Sequence, residues 1–380
     1  MPEQKLKAAG GVGLALSGGG FRAALFHLGS LWRLNEIGWL EKLSEITSVS
    51  GGSITCGYLG LAWKRLAFDD SGVATNFADL IVKPLRAFCS KTIDVGTILG
   101  GIISSFHHPS ELLASRYRRL FGGATLQDLP PEDRGPRFTI YASNLQTGAS
   151  VRFSRAYLAE YHLGMIEAPT IPLAFAVAAS SAFPPVFCPA TLKLSPSLWQ
   201  ETDGADFFGD VSLRSRMKLG DGGIYDNLGL ERVWDRYATV LVSDAGAPFH
   251  QIENSRLLDY SQLFRLKRSF DIVIEQTLAL RKRRLVDDFK SNTRAGAYWG
   301  IATHIRDYDL DGKGYPSPLV ADGETTRSLS RMRTRLNRFS DSEQELLINW
   351  GYALADAAMR RHVLGKNAQR GELPYAASFV

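Results

Sequence analysis

The sequence predicts an α/β fold built on a largely parallel sheet. Two strand–turn–helix units occupy the first 66 residues, and a further buried strand, Thr239-Val240-Leu241-Val242-Ser243, follows much later. Repeated βα units of this kind favour parallel strands joined by covering helices. In such sheets the functional turns gather at the carboxyl ends of the strands.

The first unit opens with Gly13-Leu14-Ala15-Leu16, a short buried strand, after a polar start from Met1 to Ala9. Ser17-Gly18-Gly19-Gly20 follows, and then Phe21, Leu25, Leu28 and Trp32 recur at helical spacing, so a helix is expected from Phe21 to Glu36. Glycine-rich backbone at a helix N-terminus presents N–H groups to negative charge. Three readings of these glycines stand side by side: a phosphate cradle, an oxyanion hole, or a tight turn that needs glycine. Neither G-x-G-x-x-G nor G-x-x-x-x-G-K-[ST] can be written here.

The second unit runs through Ile46-Thr47-Ser48-Val49-Ser50-Gly51-Gly52-Ser53 into the apolar run Ile54 to Trp63. A β-prone entry, a Ser-Gly-Gly turn and a helix-compatible exit have the form of a nucleophile elbow, which exposes a serine hydroxyl at the edge of a sheet. Ser48 stands where G-x-S-x-G has its first glycine, and its Cβ is expected to crowd the turn. Sheet order would bring Gly18 to Gly20 beside Ser50.

Helical pattern returns from Ala74 to Ser90. Val95 to Phe106 is apolar and glycine-broken, too short to span a bilayer; it reads either as a lid or membrane-docking segment or as a buried connection. Glu111 to Phe121 reads as a helix whose Arg116, Arg118 and Arg119 form a solvated face. Arg137 to Ser143 and Ser150 to Phe153 read as strands around the turn Asn144-Leu145-Gln146-Thr147-Gly148. Ile171 to Ala182 is an alanine-rich helix, and Leu192 to Asp210 a polar surface excursion.

Asp221-Gly222-Gly223 leaves a short apolar stretch, and the glycines allow another group to pack against the carboxylate. Ser261 to Leu285 is a long helix with Leu263, Leu266, Phe270 and Ile274 on one face. It ends in Arg281-Lys282-Arg283-Arg284, cations suited to a helix C-terminus, with contact to anionic headgroups as the alternative. Asp307 to Gly312 imitates a calcium loop, but Pro318 stands at its twelfth position, so a polar turn is expected. Ser340-Asp341-Ser342-Glu343 is a capping box that starts a last helix, to about Val363.

Bulk composition bounds the function. At 380 residues, 45% hydrophobic and 22% charged, the chain can bury a large core. A net charge of +5 argues against nucleic acid as the partner while leaving a basic face toward anionic lipid open. Cys56, Cys89 and Cys188 form neither a disulfide framework nor a zinc pattern. With no secretory leader and no apolar run of membrane-spanning length, the expected location is cytoplasmic, with peripheral membrane contact as an extension.

Ser17-Gly18-Gly19-Gly20-Phe21-Arg22, Ser48-Val49-Ser50-Gly51-Gly52 and Asp221-Gly222-Gly223, in this order and at these separations, resemble the patatin-like phospholipase family. Ala179 to Pro185 and Asn144 to Gly148 also resemble segments of that family. The resemblance implies a three-layer α/β/α fold with a mostly parallel central sheet and additional C-terminal helices. It also implies a lipid acyl hydrolase of phospholipase A or lysophospholipase type that works by a serine–aspartate dyad. Ser50 matches the nucleophile, Asp221 the base, and Gly18, Gly19 and Gly20 the oxyanion loop. Arg22 is the basic residue after that loop, and Gly51, Gly52, Gly222 and Gly223 support the two turns. No metal or organic cofactor is implied. The substrate would be a phospholipid or other acyl-ester lipid. The catalytic domain is expected over residues 10–250, with 251–380 as helical additions packed on it. A non-catalytic lipid- or partner-binding protein keeping the fold is the competing hypothesis. The seven histidines, among them His27 inside the first helix, show no triad motif.

Overall fold

The computed structural model describes residues 9–93, 109–184, 187–249, 251, 261–311 and 313–379. The segment Val95 to Phe106 therefore lies outside the described residues.

Among the described residues ten strands form one sheet. They are β1 (Ala9–Leu16), β2 (Leu43–Val49), β3 (Arg137–Asn144), β4 (Ser150–Phe153), β5 (Tyr157–Glu160), β6 (Gly164–Glu167), β7 (Ala190–Lys193), β8 (Arg216–Asp221), β9 (Tyr237–Asp244) and β10 (Ala295–Gly300). The core, in the order β10-β9-β1-β2-β3, is parallel throughout. Antiparallel strands extend it beyond β3, through β4-β5-β6 on one edge and β8-β7 on the other. Leu192 to Asp210 is not the purely polar excursion expected. Leu192 lies in β7 and is buried, and Trp199 closes over the core with its indole N–H donating to the Arg214 carbonyl at 3.1 Å.

Strand alternation divides the apolar side chains between the two faces of the sheet. Leu14, Leu16, Leu241 and Trp299 enter one core; Ala15, Val240 and Val242 enter the other. The first core is covered by α1 (Gly20–Glu36), α2 (Gly51–Ala62), α3 (Lys83–Cys89), α4 (Pro109–Phe121), α5 (Leu173–Ser180) and α7 (Asp341–Met359). The second core is covered by Val233 and Trp234 and by α6 (Gln262–Lys290) through Leu278 and Leu285. The result is the three-layer α/β/α arrangement. Helix α7 begins at the expected capping box, with the Glu343 N–H donating to Ser340 Oγ and the Ser340 N–H to the Glu343 carboxylate.

Helix α1 is buried almost all round because α7 packs on the side away from the sheet. A Cβ at Gly29 would fall 1.9 Å from the Ile348 carbonyl, and one at Gly351 would fall 1.9 Å from that of Phe26. Backbone meets backbone at this crossing, and only glycine permits it. The chain after residue 250 thus contributes a sheet strand, β10, as well as helices.

Candidate active site

The sheet register brings the two turns together. β2 ends with Val49 opposite Tyr141 of β3, and the chain then turns at Ser50. β8 pairs with the same edge of β3 one residue further on, with Asp221 opposite Ala142. Asp221 therefore fills the place in the sheet that β2 vacates at the elbow. Ser50 lies in hydrogen-bonding reach of its carboxyl group.

Ser50 has φ 51° and ψ −119°, a conformation that costs a non-glycine residue on the order of 1–3 kcal/mol and persists only where neighbours impose it. Those neighbours are visible. The Ser50 N–H donates to Ser180 Oγ at 2.8 Å, and Ser180 Oγ is 2.9 Å from Ser53 Oγ. The carbonyl of Ser180 accepts from the Gly222 N–H at 3.2 Å, and the Asp221 N–H donates to the Ala182 carbonyl at 2.9 Å. The end of α5 thus ties the elbow to the Asp-Gly-Gly turn. The crowding expected from Ser48 is absent: it is buried, and its hydroxyl accepts from Ser53 Oγ at 3.0 Å.

Burial pushes the Asp221 carboxyl from the ordinary aspartate range up to about 7, even though the Gly223 N–H (2.7 Å) and Ser50 both favour the carboxylate. An aspartate poised there can accept a proton near neutral pH. A Cβ at Gly223 would fall 3.0 Å from Asp221 Oδ1 and 2.6 Å from Asn227 Oδ1, so a side chain there would displace both groups.

The glycine loop abuts the elbow. A Cβ on Gly18 would lie 3.2 Å from Ser50 Cβ, and one on Gly51 only 2.0 Å from the Gly20 carbonyl oxygen. Gly19 and Gly20 take φ of 143° and 60°, angles that disfavour any side chain. Their amides donate to no acceptor among the described residues, whereas the Gly18 N–H already donates to the Asn227 carbonyl at 3.1 Å. Of the three glycines of the expected oxyanion loop, Gly18 has its amide engaged within the fold, and those of Gly19 and Gly20 are the ones left to donate.

Arg22 reaches backward rather than into the site. Its guanidinium donates to the carbonyls of Ser330 (3.1 Å), Met332 (2.9 Å) and Ala245 (2.5 Å). Burial lowers its pKa to about 10, which leaves it charged at neutral pH. It clamps the loop onto a C-terminal segment in which the Thr334 carbonyl would sit 1.8 Å from a Cβ on Gly20. His27 is a second brace. Its Nε2–H donates to the Ser17 carbonyl at 2.9 Å, so Nδ1 accepts from Ser243 Oγ at 2.8 Å. Burial lowers its pKa to about 4, and it stays neutral.

Sequence reasoning missed Asn227. Its side-chain oxygen packs against both Gly18 and Gly223, joining the glycine loop to the aspartate turn. Among the described residues no group of three or more His, Cys, Asp or Glu side chains converges as metal ligands would. No described helix is long and apolar enough to cross a membrane.

A family model described as patatin-like phospholipase matches residues 14–234. The chain belongs to the patatin-like phospholipase family. No curated protein matches it. Among solved structures it is similar to human GIVD cytosolic phospholipase A2 in complex with methyl gamma-linolenyl fluorophosphonate. The identity is 16% and the TM-score 0.46, covering 92% of this chain and 57% of that one. The same human enzyme with that inhibitor and terbium chloride gives 13% identity and a TM-score of 0.48, with 92% and 57% covered. VipD from Legionella pneumophila gives 16% and 0.36, with 92% and 66% covered. The chain spans less than two thirds of the length of these structures. In this patatin-like chain the family match ends at residue 234, so the segment from Ser330 to Thr334 that backs the glycine loop lies outside it.

One prediction arises directly from the geometry. Ser180→Ala leaves the Ser50 amide without its partner, a loss of about 1–3 kcal/mol for an unsatisfied buried donor. Turnover of a soluble ester is expected to fall about tenfold or more with little change in KM; an unchanged kcat would show that Ser180 does not hold the elbow.

Proposed function

We propose that this protein is a lipid acyl hydrolase of phospholipase A or lysophospholipase type that works through an acyl-serine intermediate. The observation that carries the reading is the strained Ser50 within reach of a buried Asp221 whose pKa stands at about 7. Asp221 takes the proton of the Ser50 hydroxyl as Oγ attacks the ester carbonyl. The amides of Gly19 and Gly20, at the N-terminus of α1, receive the developing oxyanion. Collapse of the tetrahedral species expels the alcohol, which takes the proton from Asp221. Water, deprotonated by the same carboxylate, then attacks the acyl-serine and releases the fatty acid and Ser50. No step calls for a metal or organic cofactor. In this reading residues 10–250 form the catalytic unit and residues 251–380 complete it, and the protein works in the cytoplasm or on a membrane facing it.

The test is turnover of a p-nitrophenyl acyl ester across pH. The active form carries ionised Asp221, so kcat/KM is expected to rise through an apparent pKa near 7 and then level off. No turnover with any acyl ester, in a folded protein that still binds lipid, would favour the non-catalytic relative instead. A variant tests the oxyanion assignment separately. At Gly19, φ is 143° and a Cβ would fall 2.9 Å from the Ala245 carbonyl, so Gly19→Ala forces the loop to move. Losing one such donor costs roughly 100- to 1000-fold in kcat. Near-normal turnover in folded Gly19→Ala would remove Gly19 from that role.

A further inference from the structure

Helix α6 spans 29 residues, Gln262–Lys290, and the structure divides its side chains sharply. One face is docked. Leu278 and Leu285 are buried in the second core, and Trp234 Nε1 donates to Asp288 at 2.8 Å. Two cations of the Arg281-Lys282-Arg283-Arg284 run turn inward. Arg281 Nη1 lies 3.5 Å from Asp226, with Nη2 donating to the Tyr225 carbonyl, and Lys282 Nζ lies 2.5 Å from Asp244. Burial alone would raise the Asp244 pKa, but the Lys282 ammonium wins and holds it near 2. The helix is thereby fixed to the turn that follows Asp221, through Arg281, and to the end of β9, through Lys282.

The opposite face is apolar where water would be expected. Leu266, Val273 and Leu280 are 69%, 63% and 60% exposed, and Ile272 is 43% exposed. Leu266, Val273 and Leu280 recur every seven residues, so they stand nearly in line along the helix. The two remaining cations of the basic run, Arg283 and Arg284, are exposed, the latter with its guanidinium 4.8 Å over the Trp234 ring, and they follow Leu280 by three and four positions, on either side of the end of the stripe. Residues 262–290 hold eight Lys or Arg against four Asp or Glu, a net +4 within a chain of net +5.

We propose that this face of α6 docks on an anionic phospholipid bilayer. The inference rests on the lipid acyl hydrolase reading, because a substrate held in a bilayer requires the enzyme to reach its surface. An amphipathic helix with an exposed apolar stripe and flanking arginines lies in the interface with its apolar side chains among the upper acyl chains. The cations gain from the negative surface potential. A second copy of the chain is the competing occupant. A helix pair needs a second apolar line three or four residues on from the first. Those positions are Ser269, Gln276 and Arg283, or Phe270, Thr277 and Arg284, and neither set is an apolar line, so the stripe does not make a dimer seam. Docked by α6, the protein holds the membrane-bound helix to the turn after Asp221 through Arg281 and to the end of β9 through Lys282.

The test uses the full chain carrying Ser50→Ala, so that lipid binding is read without hydrolysis. Co-flotation with phosphatidylcholine–phosphatidylserine vesicles is compared with vesicles of phosphatidylcholine alone. Binding is expected to favour the anionic vesicles and to weaken with salt. Leu266→Ser/Val273→Ser/Leu280→Ser, and separately Arg283→Glu/Arg284→Glu, should each weaken it by at least about tenfold. On the Ser50 background both variants should keep full turnover of a soluble p-nitrophenyl ester and lose it on vesicles. If one variant fails to fold, the other still decides. Unchanged flotation of a folded variant overturns the proposal, as does a concentration-dependent dimer that the leucine variant abolishes. Loss of soluble-ester turnover in the parent would instead count against the hydrolase reading and leave the flotation result interpretable.

Discussion

Ser50→Ala is expected to lower kcat/KM for any acyl ester by about 10⁶-fold, the scale of losing the nucleophile in a serine hydrolase. The fold should survive. Ser50 is only half-buried, and its structural bond to Ser180 is made by the backbone N–H, which alanine keeps. Alanine retains a Cβ, so the strain at φ 51° remains, and the melting temperature should scarcely move. Residual turnover above about one part in a thousand would mean that another hydroxyl does the chemistry.

Asp221→Asn is expected to reduce turnover by roughly 10⁴-fold or more, because an amide cannot take the Ser50 proton. Its effect on stability has the opposite sign. Burial raises the folded-state pKa of Asp221 from 3.8 to about 7, so between these values the native protein binds a proton that the unfolded chain does not. Stability from this group is therefore fully present below about pH 4 and is lost as pH rises through 7. Asparagine never ionises. The variant should melt higher than the parent at pH 8, with the difference closing toward pH 4. A parent that gains stability from pH 5 to pH 8 relative to Asp221→Asn would contradict a buried carboxylate with a raised pKa.

These residues were legible in the sequence for a physical reason. An elbow and a glycine loop are local structures, and the residues that permit their backbone angles must be adjacent. Ser50 with Gly51, and Gly19 with Gly20, therefore announce themselves as short strings. Braces assembled across the fold carry no such string. Ser180 falls in an alanine-rich helix and in the family-like segment Ala179 to Pro185, neither of which gives it a role, and Asn227 has no signal beyond following Asp221-Gly222-Gly223. The tail that anchors Arg22, Ser330 to Met332, offers backbone carbonyls, which any residue supplies.

The fold divides the same way. β1 and β9 carry apolar runs and read directly as buried strands, whereas β2 is marked by the elbow that it enters. β10 is Ala-Gly-Ala-Tyr-Trp-Gly, with no β-branched residue to mark it, and only its neighbour β9 makes it a strand. β5 and β6 span four residues each, too short for alternation to stand out. Periodicity predicts helix α6 and groups Leu266 on one face with Leu263, Phe270 and Ile274. The structure leaves Leu266 exposed because the packed face turns on Leu278 and Leu285. The basic run at its end could not be divided from sequence, since Asp226 and Asp244 lie far away along the chain.

The central claim is that one activated serine, Ser50, attacks the acyl group. The most direct measurement is reaction with a fluorophosphonate, proteolysis, and mass spectrometry of the modified peptide. A single adduct on Ser50, absent from Ser50→Ala and suppressed in Asp221→Asn, is the predicted result. An adduct on Ser48 or Ser53, or labelling that persists undiminished in Ser50→Ala, would contradict it.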